Sequence, residues 1–599
     1  MGHFVQSFLT DREAKTFIDG KLSSSRQIAN GVPQGSVLAP TLFLVAMQSL
    51  FEKVPENVKV LAYADDITLM SRSPFSKLSR KKLQLALDKI AEWAPNMGLT
   101  FAPEKSHLIH LSNRKKRLNR LPPLILDNKV IPAAHTARIL GVWLDDKLKF
   151  IAHANQVRKS STPKLNILKK ICSAWGAGSR ESLFRFLNGW LLPTMLHGFG
   201  LYSRGGDHTH TRLEPIYNQA VRIISGAFRS SPIVSLMAEC GQEPFEYVLS
   251  KNLISKAIRW LSYERDPNVP MVRRAESYLN KYGASLPDIA PRPEPRLRKF
   301  NKAIPQVDMS LLNKMRAGTN PAVALPLFYQ HVESKYKNLA KLYTDGSKSI
   351  DGRVGCGIFS DNETAALALP SICSVFSSEA YAILRAAEEL CPPSGSVIFS
   401  DSASVLRAVL SGNTKHSWIN TLSDLAIQKS IILCWIPGHT NIPGNEAADR
   451  LANEGNQTEQ LNIPIPCTDA TGWLKKHLSI SWSHQWNACT DAKLREVKNC
   501  TSVWTDRKSF LERRILTRLR IGHTRLTHGF LMDKGDPPYC QACNVPNSVK
   551  HIIIQCPVYQ EARTDSGLAT SLREALSNDP DEEEKVFSFL RTTKLIAEI

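Results

Sequence analysis

Between Lys341 and Asp449 short β-rich runs alternate with helical ones, and four carboxylates fall where one gives way to the other. Lys341–Thr344 reads as a strand running into Asp345-Gly346-Ser347, and Val354–Ser360 as a second strand after the Asp351-Gly352 turn. Ser378–Leu390 reads as a helix with Ser378 as N-cap and Glu379 in its first turn. Ser396–Ser400 is a β-run ending at Asp401, and Ile431–Ile436 another ending at Pro437-Gly438-His439. A last helix over about 445–453 carries Asp449. Such an order packs as an α/β layer, and open sheets gather their sites at the carboxyl ends of strands. Two carboxylates then sit at strand ends and two on helices beside the sheet. Oxygen-only donor sets suit hard cations such as Mg²⁺. Two such ions about 4 Å apart can activate a water and stabilise the leaving oxygen of a phosphodiester.

Thr344-Asp345-Gly346-Ser347, Ser378-Glu379-Ala380, Ser400-Asp401-Ser402, Gly438-His439 and Asn445-Glu446-Ala447-Ala448-Asp449 together resemble ribonuclease H of type 1, in that family's order. The resemblance implies an RNase H-like mixed sheet with flanking helices. It also implies Asp345, Glu379, Asp401 and Asp449 as ligands of two Mg²⁺ ions, with His439 on a mobile loop assisting proton transfer or product release. The implied substrate is the RNA strand of an RNA–DNA hybrid, told from DNA by its 2′-hydroxyls.

Charge divides the chain further. The net of +21 is not spread evenly: residues 337–456 hold 9 basic and 12 acidic residues, and 457–599 hold 19 and 17. Residues 1–336 hold the remaining 48 and 26, a net of +22. A half this basic points to polyanionic partners, nucleic acid before membrane. Neither an apolar stretch of membrane-spanning length nor a signal peptide is expected. Twelve scattered cysteines with one close pair then suit a reducing compartment.

In the basic half, Val58–Ala64, Ile67–Ser71, His107–Leu111 and Arg138–Leu144 read as β-runs around an amphipathic helix from about 79 to 93, with Leu83, Leu87 and Ile90 on its apolar face. Gly31-Val32-Pro33-Gln34-Gly35-Ser36 opens a helix, and Tyr63-Ala64-Asp65-Asp66 lies between two β-runs as in a hairpin turn. With Pro103-Glu104-Lys105-Ser106 and Leu140-Gly141-Val142-Trp143-Leu144-Asp145, these segments resemble the palm of reverse transcriptases, RNA-directed DNA polymerases. The resemblance implies catalytic-metal roles for Asp65 and Asp66. It puts Gln34 and Tyr63 near nucleotide and template and Lys105 near phosphates, with the following basic helices as a thumb gripping the backbone. The family needs a further metal-binding Asp on a strand well upstream of Gly31, and Asp11 and Asp19 are too close to supply it. The expectation is an N-terminally truncated polymerase lacking fingers and first catalytic Asp. Arg114-Lys115-Lys116-Arg117 reads as a nuclear signal, a nucleic-acid contact or a solvated hairpin tip.

Near the C-terminus, Cys540-x2-Cys543-x7-His551-x4-Cys556 supplies three thiolates and an imidazole, a closed set for structural zinc. Arg518, Arg520, Arg525, His523 and His528 just upstream suit a basic surface on that element.

Polymerase, RNase H and a CCHC element in this order resemble the second open reading frame of non-LTR retrotransposons of the LINE type, the I-factor and Jockey-like group. The reading is thus a multidomain α/β and α+β chain. It comprises a partial palm over 1–150, a helical thumb over 151–275 and a Pro/Arg-rich linker over 276–336. RNase H over 337–456 and a helical region with the zinc element over 457–599 follow. The expected partners are RNA, DNA and their hybrid, with no membrane, in cytoplasm and nucleus. The alternatives are a non-catalytic nucleic-acid-binding remnant, or a partial record of a full reverse transcriptase.

Overall fold

The computed structural model describes residues 2–112, 121–173, 178–203, 207–264, 266–292, 304–315, 319–392, 395–412, 415–505 and 508–599. The run Arg114–Arg117 and the linker residues 293–303 lie outside the described residues. The chain divides into two compact units, 1–156 and 157–599. No described helix is long and apolar enough to cross a membrane.

In the first unit, helix α1 (Ala39–Lys53) precedes a hairpin of β1 (Lys59–Tyr63) and β2 (Asp66–Met70), and α2 (Ser76–Asn96) follows. A second hairpin, β3 (Leu124–Leu126) with β4 (Lys129–Ile131), lies against α2. Met47 and Leu50 of α1 meet Leu87, Ile90 and Trp93 of α2 and Leu124, Leu126 and Ile131 of the hairpin, and together they form the core of this unit. The apolar spacing on α2 thus faces inward as its period requires. The β-run expected over Arg138–Leu144 is two strands, β5 (Thr136–Ile139) and β6 (Val142–Asp145), paired antiparallel. Leu140 and Gly141 both take positive φ, +46° and +83°. That pair of conformations closes a two-residue hairpin whose twist matches its strands.

The second unit begins with helices, among them α3 (Arg180–Phe186), α4 (Ile233–Cys240) and α5 (Phe245–Glu264). A six-stranded sheet follows. Its strands are β7 (Gln306–Asp308), β8 (Ala340–Lys348), β9 (Val354–Ser360), β10 (Thr364–Leu369), β11 (Ser396–Ser400) and β12 (Ile432–Trp435), in the order β7-β12-β11-β8-β9-β10. Pairings from β7 to β8 are parallel, and those of β9 are antiparallel. Helices of this region include α6 (Pro321–Lys335), α7 (Val375–Arg385), α8 (Ser417–Gln428) and α9 (Pro443–Gly455), with a further short helix over Ala403–Ser411. Residues 306–335, read as linker, supply an edge strand and helix α6. Phe328 of α6 is buried with its ring edge-on to Phe399 of β11, 5.4 Å between centroids. The Pro-rich signal also misleads at 288–290, which is not free chain: Ala290 donates to the Ile465 carbonyl and Ile465 to that of Asp288.

Three further helices, α10 (Cys467–Ala488), α11 (Phe510–Arg520) and α12 (Pro580–Thr592), belong to the C-terminal region. Helix α11 is tied to the helices of residues 180–264 through buried charge, while α10 meets them with apolar and aromatic side chains such as Trp482 against Tyr247. Glu239 of α4, wholly buried, lies 3.6 Å from Arg180 and 3.5 Å from Arg520. Arg520 also bonds Glu583 at 2.9 Å and the Leu576 and Ser577 carbonyls. Lys498 caps α4 by donating to the carbonyls of Ala238 and Glu239. The expected basic surface at Arg518 and Arg520 is therefore corrected. Arg520 is 5% exposed, and Arg518 lies 3.8 Å over the Phe228 ring and bonds the Gly226 and Ile599 carbonyls. A guanidinium with five donors answers carbonyls and a buried carboxylate better than it answers solvent. Removing one partner would leave Glu239 charged and less compensated in the interior. Arg520→Ala is expected to cost about 3–5 kcal/mol of unfolding free energy in denaturant titration; a loss under about 1 kcal/mol would contradict the role given to this knot.

Candidate active site

The parallel register of β8 with β11 pairs Thr344 with Ser400, so the next residues, Asp345 and Asp401, come out side by side. Asp345 is not at a strand end, as expected, but within β8, which runs on to Lys348 to pair with β9. Helix α7 begins earlier than expected. Its N-cap is Ser374, whose hydroxyl accepts from the Ser377 N–H, so Ser378 lies inside the helix and Glu379 in its second turn. Ser378 instead donates its hydroxyl proton to the Gly355 carbonyl.

Two close approaches bring the carboxylates together. A Cβ on Gly346 would lie 2.5 Å from the Glu379 nitrogen, so only glycine lets β8 meet α7 there. A Cβ on Gly357 of β9 would lie 2.0 Å from the Ala448 carbonyl oxygen, and this bare strand surface lets α9 lie flat on the sheet with Asp449 at the rim. Carboxylate oxygens of Asp345, Glu379 and Asp401 consequently lie within 4.8 Å of one another. Asp449 is half-buried beside them, near enough to Asp345 to exchange a hydrogen bond when one is protonated. His439 is exposed on the loop after β12, at φ +54°, and its charge acts on Asp401.

Electrostatically the cluster is under-compensated: the charge of His439 and hydrogen bonds from Gly346 and Asn445 favour the ionised carboxylates, but burial and mutual repulsion outweigh them. Burial first, then the charge of Asp401, pushes Asp345 up to about 7. Burial, Asp345 and Asp401 hold Glu379 well above the usual carboxylate range, and burial raises Asp401. No Lys or Arg acts on Asp345, Glu379 or Asp401 among the described residues, and Glu379 Oε2 is buried with no hydrogen-bond partner. An all-oxygen set with under-compensated negative charge fits divalent cations. Three side chains that the sequence did not single out orient it. Trp435 donates from Nε1 to the Asp401 carbonyl at 3.0 Å, Asn445 hydrogen-bonds the Asp401 carboxylate, and Asn453 donates to Asp449 at 3.1 Å. Asn445 stood inside a recognised motif. Asn453 follows Asp449 by one helical turn, a spacing that marks neighbours on a helix face.

The palm residues are arranged differently. Tyr63 pairs with Asp66 across a two-residue turn of Ala64 and Asp65, with Ala64 at φ +51°, as the hairpin reading expects. Tyr63, Asp65 and Asp66 are exposed, as are Gln34 in the bend before α1 and Lys105 in the short turn Pro103–Lys105. No hydrogen bond or ion pair joins these side chains to one another. Among the described residues no third Asp, Glu, His or Cys completes a cluster with Asp65 and Asp66.

Cys540, Cys543, His551 and Cys556 do converge, all within 4.8 Å, with Cys556 Sγ 3.8 Å from Cys540 and 4.0 Å from Cys543. A turn at Asn544 (φ +52°) sends the chain back so that Cys540 donates to the Val545 carbonyl. A wide turn over His551–Gln555 presents the other two ligands. Hydrogen bonding from His551, then from the Cys543 and Ala542 backbone, holds the Cys540 thiol down at about 6. A further group, Asp308, His331 and Cys434, is a hydrogen-bonded knot. Asp308 Oδ2 already accepts from His331, Lys335 and Tyr336, which ties β7 to α6.

Residues 2–144 match the reverse transcriptase (RNA-dependent DNA polymerase) family, and residues 337–457 match RNase H. Over 229 residues, 37% of this chain and 25% of the relative, the sequence is 28% identical to the RNA-directed DNA polymerase from mobile element jockey of Drosophila melanogaster. It is 23% identical over 225 residues to the probable RNA-directed DNA polymerase from transposon X-element of the same fly, with 37% and 24% of the two chains covered. A putative 115 kDa protein in type-1 retrotransposable element R1DM is 24% identical over 172 residues, 28% of this chain and 16% of the relative. The chain spans about a quarter or less of the length of these relatives. Both matched families typically use Mg²⁺ and bind RNA, DNA or their hybrids.

The raised carboxyls carry a stability signature. A carboxyl whose pKa is higher folded than unfolded favours the folded state most at low pH and disfavours it as pH rises from about 4 to about 7. In chelator, Asp345→Asn is therefore expected to be more stable than wild type at pH 8, by about 1–2 kcal/mol, with the gain fading below about pH 4. Thermal unfolding across this range checks it; a variant less stable at pH 8 would refute the under-compensated cluster.

Proposed function

We propose that this chain, which carries a reverse transcriptase domain over 2–144 and an RNase H domain over 337–457, is part of a non-LTR retrotransposon protein that cleaves the RNA strand of RNA–DNA hybrids. The observation that carries the reading is the buried, under-compensated group of Asp345, Glu379 and Asp401, with Asp449 at its rim. These four would hold two Mg²⁺ ions, which when bound activate a water and stabilise the leaving oxygen. Trp435 and Asn445 hold Asp401 in place, and Asn453 holds Asp449. His439, exposed on the loop after β12, would move a proton at the rim. Discrimination for RNA would come from 2′-hydroxyl contacts along the shallow groove of the hybrid. The basic residues of 1–336 that remain in solvent would hold the backbone. Among the described residues no third donor joins Asp65 and Asp66, a metal pair by resemblance, which supports a palm that does not extend primers. On this reading the protein works in cytoplasm and nucleus, where element RNA and chromosomal DNA lie.

Purified chain with Mg²⁺ is expected to cut a labelled hybrid and leave duplex DNA intact, and Asp401→Asn to lower the rate about a hundredfold or more. The same preparation is expected to extend no primer on an RNA template. Equal cleavage by both proteins, or none by either, would sink the nuclease reading.

The three thiolates and one imidazole at 540–556 would hold structural zinc in a closed tetrahedral set. Native mass spectrometry is expected to find one zinc per chain, and Cys543→Ser to lose it and destabilise the C-terminal region. A metal-free wild type would remove the zinc from the account.

A further inference from the structure

We propose that Asp469, in the first turn of α10, is a positioning residue for the carboxylate cluster: it anchors the start of α7 and so sets where Glu379 stands. The inference rests on the RNase H reading, and Asp469 lies beyond the segment that matches RNase H. The Ser374 hydroxyl does two things at once. It accepts from the Ser377 N–H as the N-cap of α7, and it donates its proton to Asp469 Oδ1 at 2.9 Å, across 95 residues of chain. An acid in a first turn commonly serves its own helix dipole. Here the carboxylate is 7% exposed, its Oδ2 has no hydrogen-bond partner, and its Oδ1 reaches out to a different helix.

The same helix end is held from two other sides. Lys348, three residues beyond Asp345 on β8, donates to the carbonyls of Ser371 (3.0 Å) and Cys373 (2.6 Å). Ser377 is hydrogen-bonded to His416, just ahead of α8, at 2.8 Å. Ser374 and Glu379 are five residues apart, about 7.5 Å along a helix. A hydrogen-bonded helix moves as a rod over that length, so a slip at the cap reaches Glu379 almost undiminished. Glu379 must stay within 4.8 Å of Asp345 and Asp401 to share a cation with them. Groups that orient a ligand from behind commonly change metal affinity by about 10–100-fold when removed.

The test compares Asp469→Ala, which removes the acceptor, with Asp469→Asn, which keeps an oxygen in its place, both in the full chain. Mn²⁺ binding without nucleic acid is followed by electron paramagnetic resonance, and hybrid cleavage is followed against Mg²⁺ concentration. Asp469→Ala is expected to bind Mn²⁺ about tenfold more weakly and to need correspondingly more Mg²⁺, with KM for the hybrid unchanged and Asp469→Asn close to wild type. If Asp469→Ala does not fold, Ser374→Gly carries the same test, because glycine is tolerated at an N-cap but cannot bond Asp469. Unchanged Mn²⁺ affinity in Asp469→Ala, or equal impairment of the Ala and Asn variants, overturns the proposal. A wild type that neither binds Mn²⁺ nor cleaves overturns the RNase H reading itself.

Discussion

Three carboxyl groups held within 4.8 Å of one another inside a protein repel each other and have lost the water that would screen them. The 306–490 region is arranged to bear this cost. Parallel pairing of β8 and β11 sets two of the groups abreast, and a glycine beneath α7 lets the third approach. A glycine-faced strand lets α9 come close with a fourth. None of these contacts relieves the repulsion. They only make it geometrically unavoidable, which is how a cation site differs from a structural ion pair.

The region that supports the cluster is larger than its matched segment. On one side β7 adds a parallel edge strand and α6 covers the adjoining sheet with Phe328. On the other, α10 reaches back to the cap of α7. Further along, the C-terminal helices are fastened to the helices of 180–264 through Glu239 and the cations around it. Several basic residues that would count toward a nucleic-acid grip are spent in that fastening. Arg180, Lys498 and Arg520 are buried, so their charge answers carboxylate and carbonyl groups within the protein.

The other candidate donor groups separate by chemistry. Cys540, Cys543, His551 and Cys556 form a soft, compact donor set on one tight and one wide turn, the donor types that zinc prefers. Asp65 and Asp66 are hard donors on the exposed turn of a hairpin whose Val60, Ile67 and Leu69 pack on the core of the first unit. Two adjacent carboxylates at a turn are easy for a sequence to specify. A third from elsewhere is what makes such a pair hold metal firmly.

Much of this was legible in the chain. The alternation of β-runs and helices around four carboxylates, the YADD turn and the CCHC spacing are local patterns, and local geometry is enough to express them. What misled were signals that depend on context. The Pro/Arg-rich stretch within 276–336 read as a linker, yet Ile289 pairs with Ile465 as an isolated bridge. Arginines before the Cys540–Cys556 cluster read as a surface, yet buried Glu239 draws Arg520 inward. Ser378 read as the cap of a helix that Ser374 starts four residues sooner. The sequence by itself determined which side chains could do chemistry here, because donor type and short-range spacing are written in it. Tertiary structure alone decided which of them meet, how far their charges are left unanswered, and that Asp469 reaches the Ser374 cap of α7, because those depend on strand register and helix packing between residues far apart in the chain.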